Sequence, residues 1–341
     1  MLLAHKIELK PNNKQATYFA KGCGVARFAY NWALSEWKKQ YQQEQKPNEA
    51  NLRKKFNSIK KEGKHDSFRV DNGPSTIGTD AVQTKDNKIK IPKLDWVRMT
   101  ETLRFKGQIK SLVVSRKANR WFASISVETA DIPQSRKNQG VVGVDLGVKS
   151  LAVLSKGEAF TGAKPHTQKL AKLKRLSRQL SRKKKRSNNF KKASMRLAKL
   201  HLDIANIRKD YLNKTTTNIV LNYNKIGIEN LNVKGMSSNR KLARHILDQS
   251  FYEFKRQLEY KAQMYGSEII IADRFFPSSK LCHVCNWKNE KLELKTRSWV
   301  CEECNTLHDR DYNAAKNLEL LCTVSSTETN ACGMESSGLS V

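Results

Sequence analysis

The chain has 341 residues, and its 64 lysine and arginine residues outnumber its 32 aspartate and glutamate residues, which gives a formal net charge of +32. No apolar run approaches the roughly 18 residues that a membrane span needs, and the first residues do not resemble a secretory signal, so we do not expect a membrane or secreted protein. So large a positive charge repels itself unless an anionic partner lies against it, and nucleic acid is the commonest such partner.

Apolar side chains recur at spacings of three and four residues over 13–40, which predicts an amphipathic helix. We expect this stripe to pack into the core; its members are Phe19, Cys23, Ala26, Tyr30, Ala33 and Trp37. Residues 41–84 are polar and turn-rich. Strands are then predicted at 7–10, 87–92, 108–115 and 121–127. Together they indicate a small antiparallel barrel interrupted by helices, and its lysine-rich strands favour a surface that faces nucleic acid.

Two buried strands each end on a carboxylate. The apolar run that begins at Gly140 ends on Asp145, and residues 151–154 are its predicted hairpin partner. Residues 225–229 form a second short apolar strand that ends on Glu229. An amphipathic helix at 250–265 and a third apolar strand at 268–272 follow.

A long helical pattern runs from about Thr167 to Val220, and no acidic residue occurs between Glu158 and Asp203. The most basic part is the run Arg182, Lys183, Lys184, Lys185 and Arg186. We expect this run to lie within the helix, opposite a stripe of leucines, and to contact the phosphate backbone of a nucleic acid. The alternative is that it forms an ordinary solvated face.

Four of the seven cysteines lie within 23 positions, in the order Cys282, Cys285, Cys301 and Cys304. Two C-x-x-C turns fifteen residues apart are typical of a zinc ribbon that binds one structural Zn²⁺ through four thiolates. Such a site leaves no open coordination position, so the zinc is not catalytic. We expect His283 and His308 to lie outside the ligand set, and the other cysteines to be free thiols in a reducing cytoplasm.

A third acid beside Asp145 and Glu229 comes from the start of a helix near Asp309. Three converging carboxylates favour hard cations such as Mg²⁺, and two such ions can promote phosphodiester hydrolysis. Asp309 and Asp311 cannot both point inward, because two positions along a helix differ by roughly 200°. We select Asp311, since Ala314 and Ala315 share its face, and we expect Asp309 to cap the helix or to lie outside the metal ligands.

Several motifs occur in one order that resembles the TnpB (OrfB) proteins of insertion sequences, which are relatives of the compact type V CRISPR effector nucleases. The motifs are Gly143–Gly147, Gly227–Leu231, Phe275–Lys280 before the paired C-x-x-C turns, and Asp309–Ala315. The similarity extends from Lys6 to about Leu321.

The resemblance implies an α/β plus β-barrel protein: a discontinuous RNase-H-like (RuvC) nuclease domain with an inserted zinc ribbon, and an N-terminal barrel that carries a shortened helical recognition segment. The implied parts are a wedge-like barrel at 1–12 and 69–137, the helical segment at 13–68, the RuvC-like domain at 138–273 and 306–320, the ribbon at 274–305 and a disordered tail at 321–341.

By motif matching, Asp145, Glu229 and Asp311 take the catalytic, magnesium-binding positions of the family. The implied function is an RNA-guided DNA endonuclease of a transposable element, acting in a prokaryotic cytoplasm. Its partners are a guide RNA from the element end, the target duplex and the displaced single strand.

One departure from the family is the short segment between the first helix and the second group of strands, which implies that much of the helical recognition lobe is missing. The alternative function is therefore an RNA-guided DNA-binding protein with weak or no cleavage. A single-strand transposase is disfavoured because no His-hydrophobic-His pair is present. A junction resolvase would not need the zinc ribbon, and a basic ribosomal-type protein would not need two buried strands that end on acids.

Overall fold

The computed structural model describes residues 1–61, 82–130, 140–240, 242–293 and 295–324. The chain divides into two units, Met1–Asp131 and Ile132–Val341. No helix in the described ranges is long and apolar enough to cross a membrane. Residues 62–81 of the polar segment predicted at 41–84, and the tail beyond residue 324, lie outside the described residues.

The first unit contains one six-stranded antiparallel sheet with the order β2-β3-β4-β1-β6-β5. Its strands are β1 (Leu2–Lys10), β2 (Gln83–Lys85), β3 (Lys88–Ile91), β4 (Asp95–Met99), β5 (Gln108–Lys117) and β6 (Arg120–Glu128). Alternate side chains of β6 are buried, as a sheet with one covered face requires.

The predicted closure of this sheet into a barrel is not found. Within the described strands the order is open, with β2 and β5 at its two edges. Closure needs strands long enough to pair around a staggered ring. Strand β2 has only three residues, all of them exposed, so it ends the sheet.

Helix α1 (Asn13–Gln42) begins at a capping box in which Asn12 and Gln15 exchange hydrogen bonds. Its first turns pack on the sheet, where Phe19 is buried against Trp121 with ring centroids 5.3 Å apart. The second half of the predicted core stripe is wrong: Tyr30 is 68% exposed and Trp37 is 43% exposed. There the neighbour of α1 is the short helix α2 (Glu49–Lys61), which covers only part of the stripe.

The second unit contains a five-stranded mixed sheet with the order β11-β10-β7-β8-β9. Strand β7 pairs in parallel with β10 and antiparallel with β8, and β10 pairs in parallel with β11. The strands are β7 (Gly140–Asp145), β8 (Ala152–Leu154), β9 (Ala159–Phe160), β10 (Tyr223–Ile228) and β11 (Glu268–Ile271). The three predicted apolar strands and the hairpin are therefore confirmed.

The long helix predicted from Thr167 to Val220 is interrupted. It consists of α3 (Pro165–Gln168), α4 (Leu170–Ser181) and α5 (Asn188–Asn222). The hydroxyl of Ser187 accepts a hydrogen bond from the amide of Phe190, which caps α5, and Arg186 has a positive φ of 66°. The predicted placement of the basic run inside a helix is therefore wrong: it forms the turn of a helical hairpin.

The described part of the second unit also contains four further helices and two further strands. They are α6 (Val233–Ser238), α7 (Ala243–Gln249), α8 (Phe251–Tyr265), β12 (Ser298–Val300), β13 (Leu307–Asp309) and α9 (Arg310–Val324). Helices α5 and α8 contact each other, and α9 lies on β7, β8 and β10. Helix α9 runs four residues beyond the predicted end of its domain at residue 320, into the segment predicted to be disordered.

Candidate functional site

The register of two parallel strands places Asp145 and Glu229 at one edge of the mixed sheet. Val144 of β7 pairs with Ile228 of β10, and the two carboxylates are the next residues of each chain segment. Both strands are apolar and buried immediately before these acids. The sheet therefore directs two acidic side chains to the same end because the strands run in the same direction.

Helix α9, which carries the third acid, packs closely on two glycines of the sheet. A β-carbon on Gly143 would lie 1.9 Å from the carbonyl oxygen of Ala315, and one on Gly227 would lie 2.4 Å from that of Leu318. Neither distance is possible without moving the backbone, so these glycines set how closely α9 approaches. Asp311, in the first turn of the helix, is thereby brought within electrostatic range of the other acids.

The three carboxylates interact electrostatically. Burial raises the pKa of Asp145 well above its usual range, and the negative charges of Glu229 and Asp311 raise it further. Burial also raises the pKa of Glu229, partly opposed by a hydrogen bond from the Ser278 hydroxyl and by Arg310. Buried acids that repel one another are costly unless a cation compensates them, so the donor set fits hard metal ions.

Two arginines partly compensate this negative charge. The guanidinium of Arg297 lies 3.3 Å from a carboxylate oxygen of Asp311, and both Arg297 and Arg310 oppose the rise of the Asp145 pKa. Arg310 also donates a hydrogen bond of 3.0 Å to the carbonyl oxygen of Glu293. Sequence reasoning missed both arginines and Ser278, since nothing in their spacing distinguishes them from other basic or polar residues.

The predicted role of Asp309 as a cap is confirmed. Its carboxylate accepts a hydrogen bond of 3.0 Å from the amide of Tyr312, at the start of α9. It thus stabilises the helix terminus from which the neighbouring Asp311 projects.

The predicted cysteine ligands come together. In the described part of the chain, Cys282, Cys285, Cys301 and Cys304 are the group whose ligand atoms all lie within 4.8 Å of one another. Asp145, Glu229 and Asp311 do not form such a group among the described residues.

Hydrogen bonds surround the cysteine cluster. The Nε2 atom of His308 lies 3.1 Å from the sulfur of Cys282, and the Thr306 hydroxyl lies 3.2 Å from that of Cys304. The bond from Thr306 helps to lower the pKa of the Cys304 thiol, which favours the metal-binding thiolate. His283 bonds to the side chain of Asn313 instead, at 2.9 Å.

Two buried asparagines on α9 join the cysteine-rich segment to the acidic site. Asn313 and Asn317 both donate to the carbonyl oxygen of Leu281, at 2.6 Å and 2.7 Å. Asn317 also donates to the carbonyl oxygen of Ser278, the residue whose hydroxyl bonds to Glu229. The helix that carries Asp311 and the segment that carries Cys282 therefore hold each other in place.

The basic run lies at the turn between α4 and α5, where all five side chains of Arg182–Arg186 are exposed. Within the described residues, none of the five forms an ion pair with an acid. Below the turn, Leu173, Leu200 and Ile204 pack together and hold the two helices against each other. The helical hairpin thus exposes five basic side chains at its turn, and the packing between α4 and α5 fixes the position of that turn.

Three family models match this chain. A model described as "Probable transposase" (OrfB_IS605) matches residues 124–240, "Cas12f1-like, TNB domain" matches 251–318, and "Helix-turn-helix domain" (HTH_OrfB_IS605) matches 1–46. In the structure, the last of these regions consists of β1 and the single helix α1.

Curated relatives agree with these matches. "Putative RNA-guided DNA endonuclease InsQ" of Escherichia coli K12 is 30% identical, with the alignment covering 93% of this chain and 91% of that protein. A "Putative RNA-guided DNA endonuclease" of Streptomyces pristinaespiralis is 39% identical, and the alignment covers 70% of this chain. This chain spans only 58% of the length of that relative. A Cas12f1 structure in complex with sgRNA and target DNA is 15% identical, with a TM-score of 0.40, over 94% of this chain and 99% of that one.

The sheet, the acidic edge and the cysteine cluster define a mixed α/β protein with two sets of candidate metal ligands. The chain belongs to the TnpB (OrfB) family of insertion-sequence proteins, as the InsQ alignment over nearly the full length of both chains shows. The predicted resemblance is therefore confirmed.

Proposed function

We propose that this protein is an RNA-guided DNA endonuclease of a transposable element, which hydrolyses DNA phosphodiesters with two Mg²⁺ ions held by Asp145, Glu229 and Asp311. The observation that carries the proposal is that Asp145 and Glu229 follow neighbouring parallel strands, and that burial and the charges of Glu229 and Asp311 raise the pKa of Asp145. A protein retains such an unfavourable cluster where cations bind it.

The partners follow from the family and from the charge. Relatives named as RNA-guided DNA endonucleases support a guide RNA that pairs with one strand of target DNA. The net charge of +32 and the exposed Arg182–Arg186 turn supply the cations that such a polyanionic complex requires. In this proposal, base pairing selects the target and the protein holds the duplex and the displaced strand.

The order of the mixed sheet supports an RNase-H-like (RuvC) assignment for the second unit. Three antiparallel strands continue into two parallel strands, and the acids lie at the ends of the central pair. We assign the nuclease domain to 138–273 and 306–320, with the ribbon at 274–305 inserted between the two parts. The wedge-like segments at 1–12 and 69–137 and the helical segment at 13–68 would bind the guide and the flanking duplex.

Bound magnesium would supply an activated water and stabilise the leaving 3′-oxygen of the scissile phosphodiester. The chain supplies the geometry. Ser278 orients the carboxylate of Glu229 by a hydrogen bond, and Arg297 holds Asp311 by an ion pair. The two glycines beneath α9 fix its distance from the strands that carry the other acids.

The cysteine cluster is proposed to bind one structural Zn²⁺. Four thiolates complete a tetrahedral site with no position left for water, so the ion would stabilise the ribbon rather than take part in hydrolysis. Its effect on the nuclease site would be indirect, through the hydrogen bonds that Asn313 and Asn317 make to the ribbon backbone.

The test is a guided cleavage assay on the purified complex. RNA that copurifies with the protein is sequenced, its guide portion is reprogrammed, and cleavage of a matching DNA duplex is measured with and without Mg²⁺. We expect magnesium-dependent cutting by the wild type and none by Asp145→Ala, with RNA binding unchanged. Guide-dependent DNA binding without any cutting would instead support the alternative of a guided binding protein.

A further inference from the structure

A small cavity opens beside Glu229. Its volume is about 290 Å³, which is near the lower end of the ~300–1,000 Å³ usual for ligand pockets. This size suits one nucleotide unit rather than a length of strand. The residues that line it come from the loop after β10, from the end of β7 and from one face of α8.

The two sides of the cavity differ in character. The interior is apolar and includes Leu146, Leu231 and the buried ring of Phe251. The rim is formed by α8, with Tyr252, Lys255 and other polar residues. An apolar interior with a few polar groups at its rim is the usual composition of a site that binds a planar ring attached to a charged group.

Tyr252 is the exposed aromatic residue of this rim. Its side chain is 70% exposed, although it directly follows Phe251, which is 1% exposed. In the described part of the chain, its ring is not stacked on another aromatic ring. A ring held in this way on a rigid helix offers a face to a nucleobase, and such stacking tolerates any base because every base has a π-face.

The rim also contains a cation that is available to a phosphate. Arg256 donates two hydrogen bonds of 2.8 Å to the carboxylate of Glu253, so its guanidinium is already paired with an acid. Lys255 is different: its ammonium lies 4.0 Å from the carboxylate of Glu259, at the limit of an ion pair. A phosphate that approached the rim could therefore take Lys255 without breaking a close pair.

We propose that this cavity is a nucleotide subsite for single-stranded DNA, in which a base next to the scissile phosphate stacks on Tyr252 and its backbone phosphate contacts Lys255. The inference rests on the proposed nuclease function, because Glu229 forms one end of the cavity and fixes where the scissile bond would lie. The subsite holds the strand at the acids, so Tyr252 is a positioning residue rather than a catalytic one.

The test combines a protein change with a substrate change. Wild type, Tyr252→Ala and Tyr252→Phe are compared on DNA that carries an abasic site at successive positions around the cleavage point. At one position we expect the abasic site to lower the wild-type kcat/KM by roughly 5–150-fold, the range of one base–aromatic stack. Tyr252→Ala should show this loss on normal DNA and lose nothing further at that position, whereas Tyr252→Phe should behave as wild type.

Tyr260→Ala is the control, since Tyr260 is an exposed tyrosine of the same helix α8 that does not line the cavity. It should keep the wild-type sensitivity to the abasic site. If Tyr252→Ala cuts but remains as sensitive as wild type at every position, the subsite is wrong while the nuclease function stands.

If the wild type does not cut at all, the nuclease function fails and the subsite is tested by binding. Single-stranded DNA with 2-aminopurine at successive positions is bound to the guide complex of Asp145→Asn. Quenching at one position that Tyr252→Ala abolishes supports the subsite, and the absence of quenching at every position overturns it.

Discussion

Gly143 of β7 lies directly beneath the carbonyl oxygen of Ala315 on α9, so closely that a β-carbon would be 1.9 Å from that oxygen. The contact joins the strand that carries Asp145 to the helix that carries Asp311. Position 143 therefore determines the distance between two acids although glycine itself has no side chain that could bind a metal.

We predict that Gly143→Ala will strongly reduce cleavage. The methyl group must displace the α9 backbone, at a cost of ~1–3 kcal/mol for overpacking, and the displacement moves Asp311 away from Asp145. Circular dichroism melting and guided cleavage are measured together. The control is Gly24→Ala in helix α1, where nothing lies within 4 Å of the added carbon, and it should gain ~0.5–1 kcal/mol. Full cleavage by Gly143→Ala would show that α9 can shift without harm to the site.

We predict that Asp145→Asn will be more stable than wild type in magnesium-free buffer, although it cannot cut. Burial and the neighbouring acids raise the pKa of Asp145 in the folded protein. Between the usual carboxyl pKa and that raised value, the folded state binds more protons than the unfolded state, so stability falls as pH rises. At pH 8 the uncharged amide avoids the cost of a buried, repelled carboxylate. We expect the free energy of unfolding to be ~1–2 kcal/mol larger and the melting temperature a few degrees higher, with both differences vanishing towards pH 4.

Asp248→Asn is the matched control for this comparison. Asp248 is also buried, and burial by itself raises its pKa. Hydrogen bonds from Thr167, Arg208 and His166 outweigh this effect, so the pKa of Asp248 is lowered. The charged carboxylate of Asp248 therefore stabilises the fold at pH values above the usual carboxyl pKa. This stabilisation is lost as the pH falls through the lowered pKa of the folded state. The amide at 248 should lower the melting temperature at pH 8. If both variants shift in the same direction, the two carboxylates do not differ as proposed.

Asp145 and Glu229 could be predicted from sequence because each lies at the end of an apolar run, and the end of such a run is a local feature of the sequence. Asp145 and Glu229 needed only the recognition of two buried strands, and Asp309 needed only its position before a helix. Helix geometry, with Ala314 and Ala315 on the same face, then distinguished Asp311 from Asp309, and the motif resemblance agreed. Local pattern and family order thus carried most of the site.

The remaining features depend on contacts between distant segments. Ser278 reaches Glu229 across 49 residues, and Arg297, just before β12, reaches Asp311 on α9, so neither has a local signal. The N-terminal sheet stays open at β2 because that strand has only three residues, and the length of a strand in the folded protein cannot be read from its local sequence. The exposure of Tyr30 and Trp37 follows from the limited cover that α2 gives, which a helical periodicity does not reveal.

We predict that Cys304→Ser will lose bound zinc and, with it, thermal stability of the second unit. A serine hydroxyl is a poor replacement for a thiolate, and removing one of four ligands opens a structural site. Zinc per chain is measured by atomic emission after extensive dialysis. Cys23→Ser, at a half-buried cysteine of α1, should keep the wild-type zinc content. Equal zinc in Cys304→Ser and wild type would exclude Cys304 from the ligand set.

We predict that the turn between α4 and α5 contributes to binding through phosphate contacts. Lys183→Gln, Lys184→Gln and Lys185→Gln in combination should lower the slope of log affinity against log salt by roughly 2–3, because each phosphate neutralised contributes ~0.7–0.9. Lys214→Gln is the control, since Lys214 is already paired with Asp210 at 2.7 Å. Binding of guide RNA and target DNA is measured by fluorescence anisotropy between 50 and 300 mM salt, roughly the range over which counterion release is large. An unchanged slope in the triple variant would mean that these exposed lysines are solvated and that the phosphates lie elsewhere on the protein.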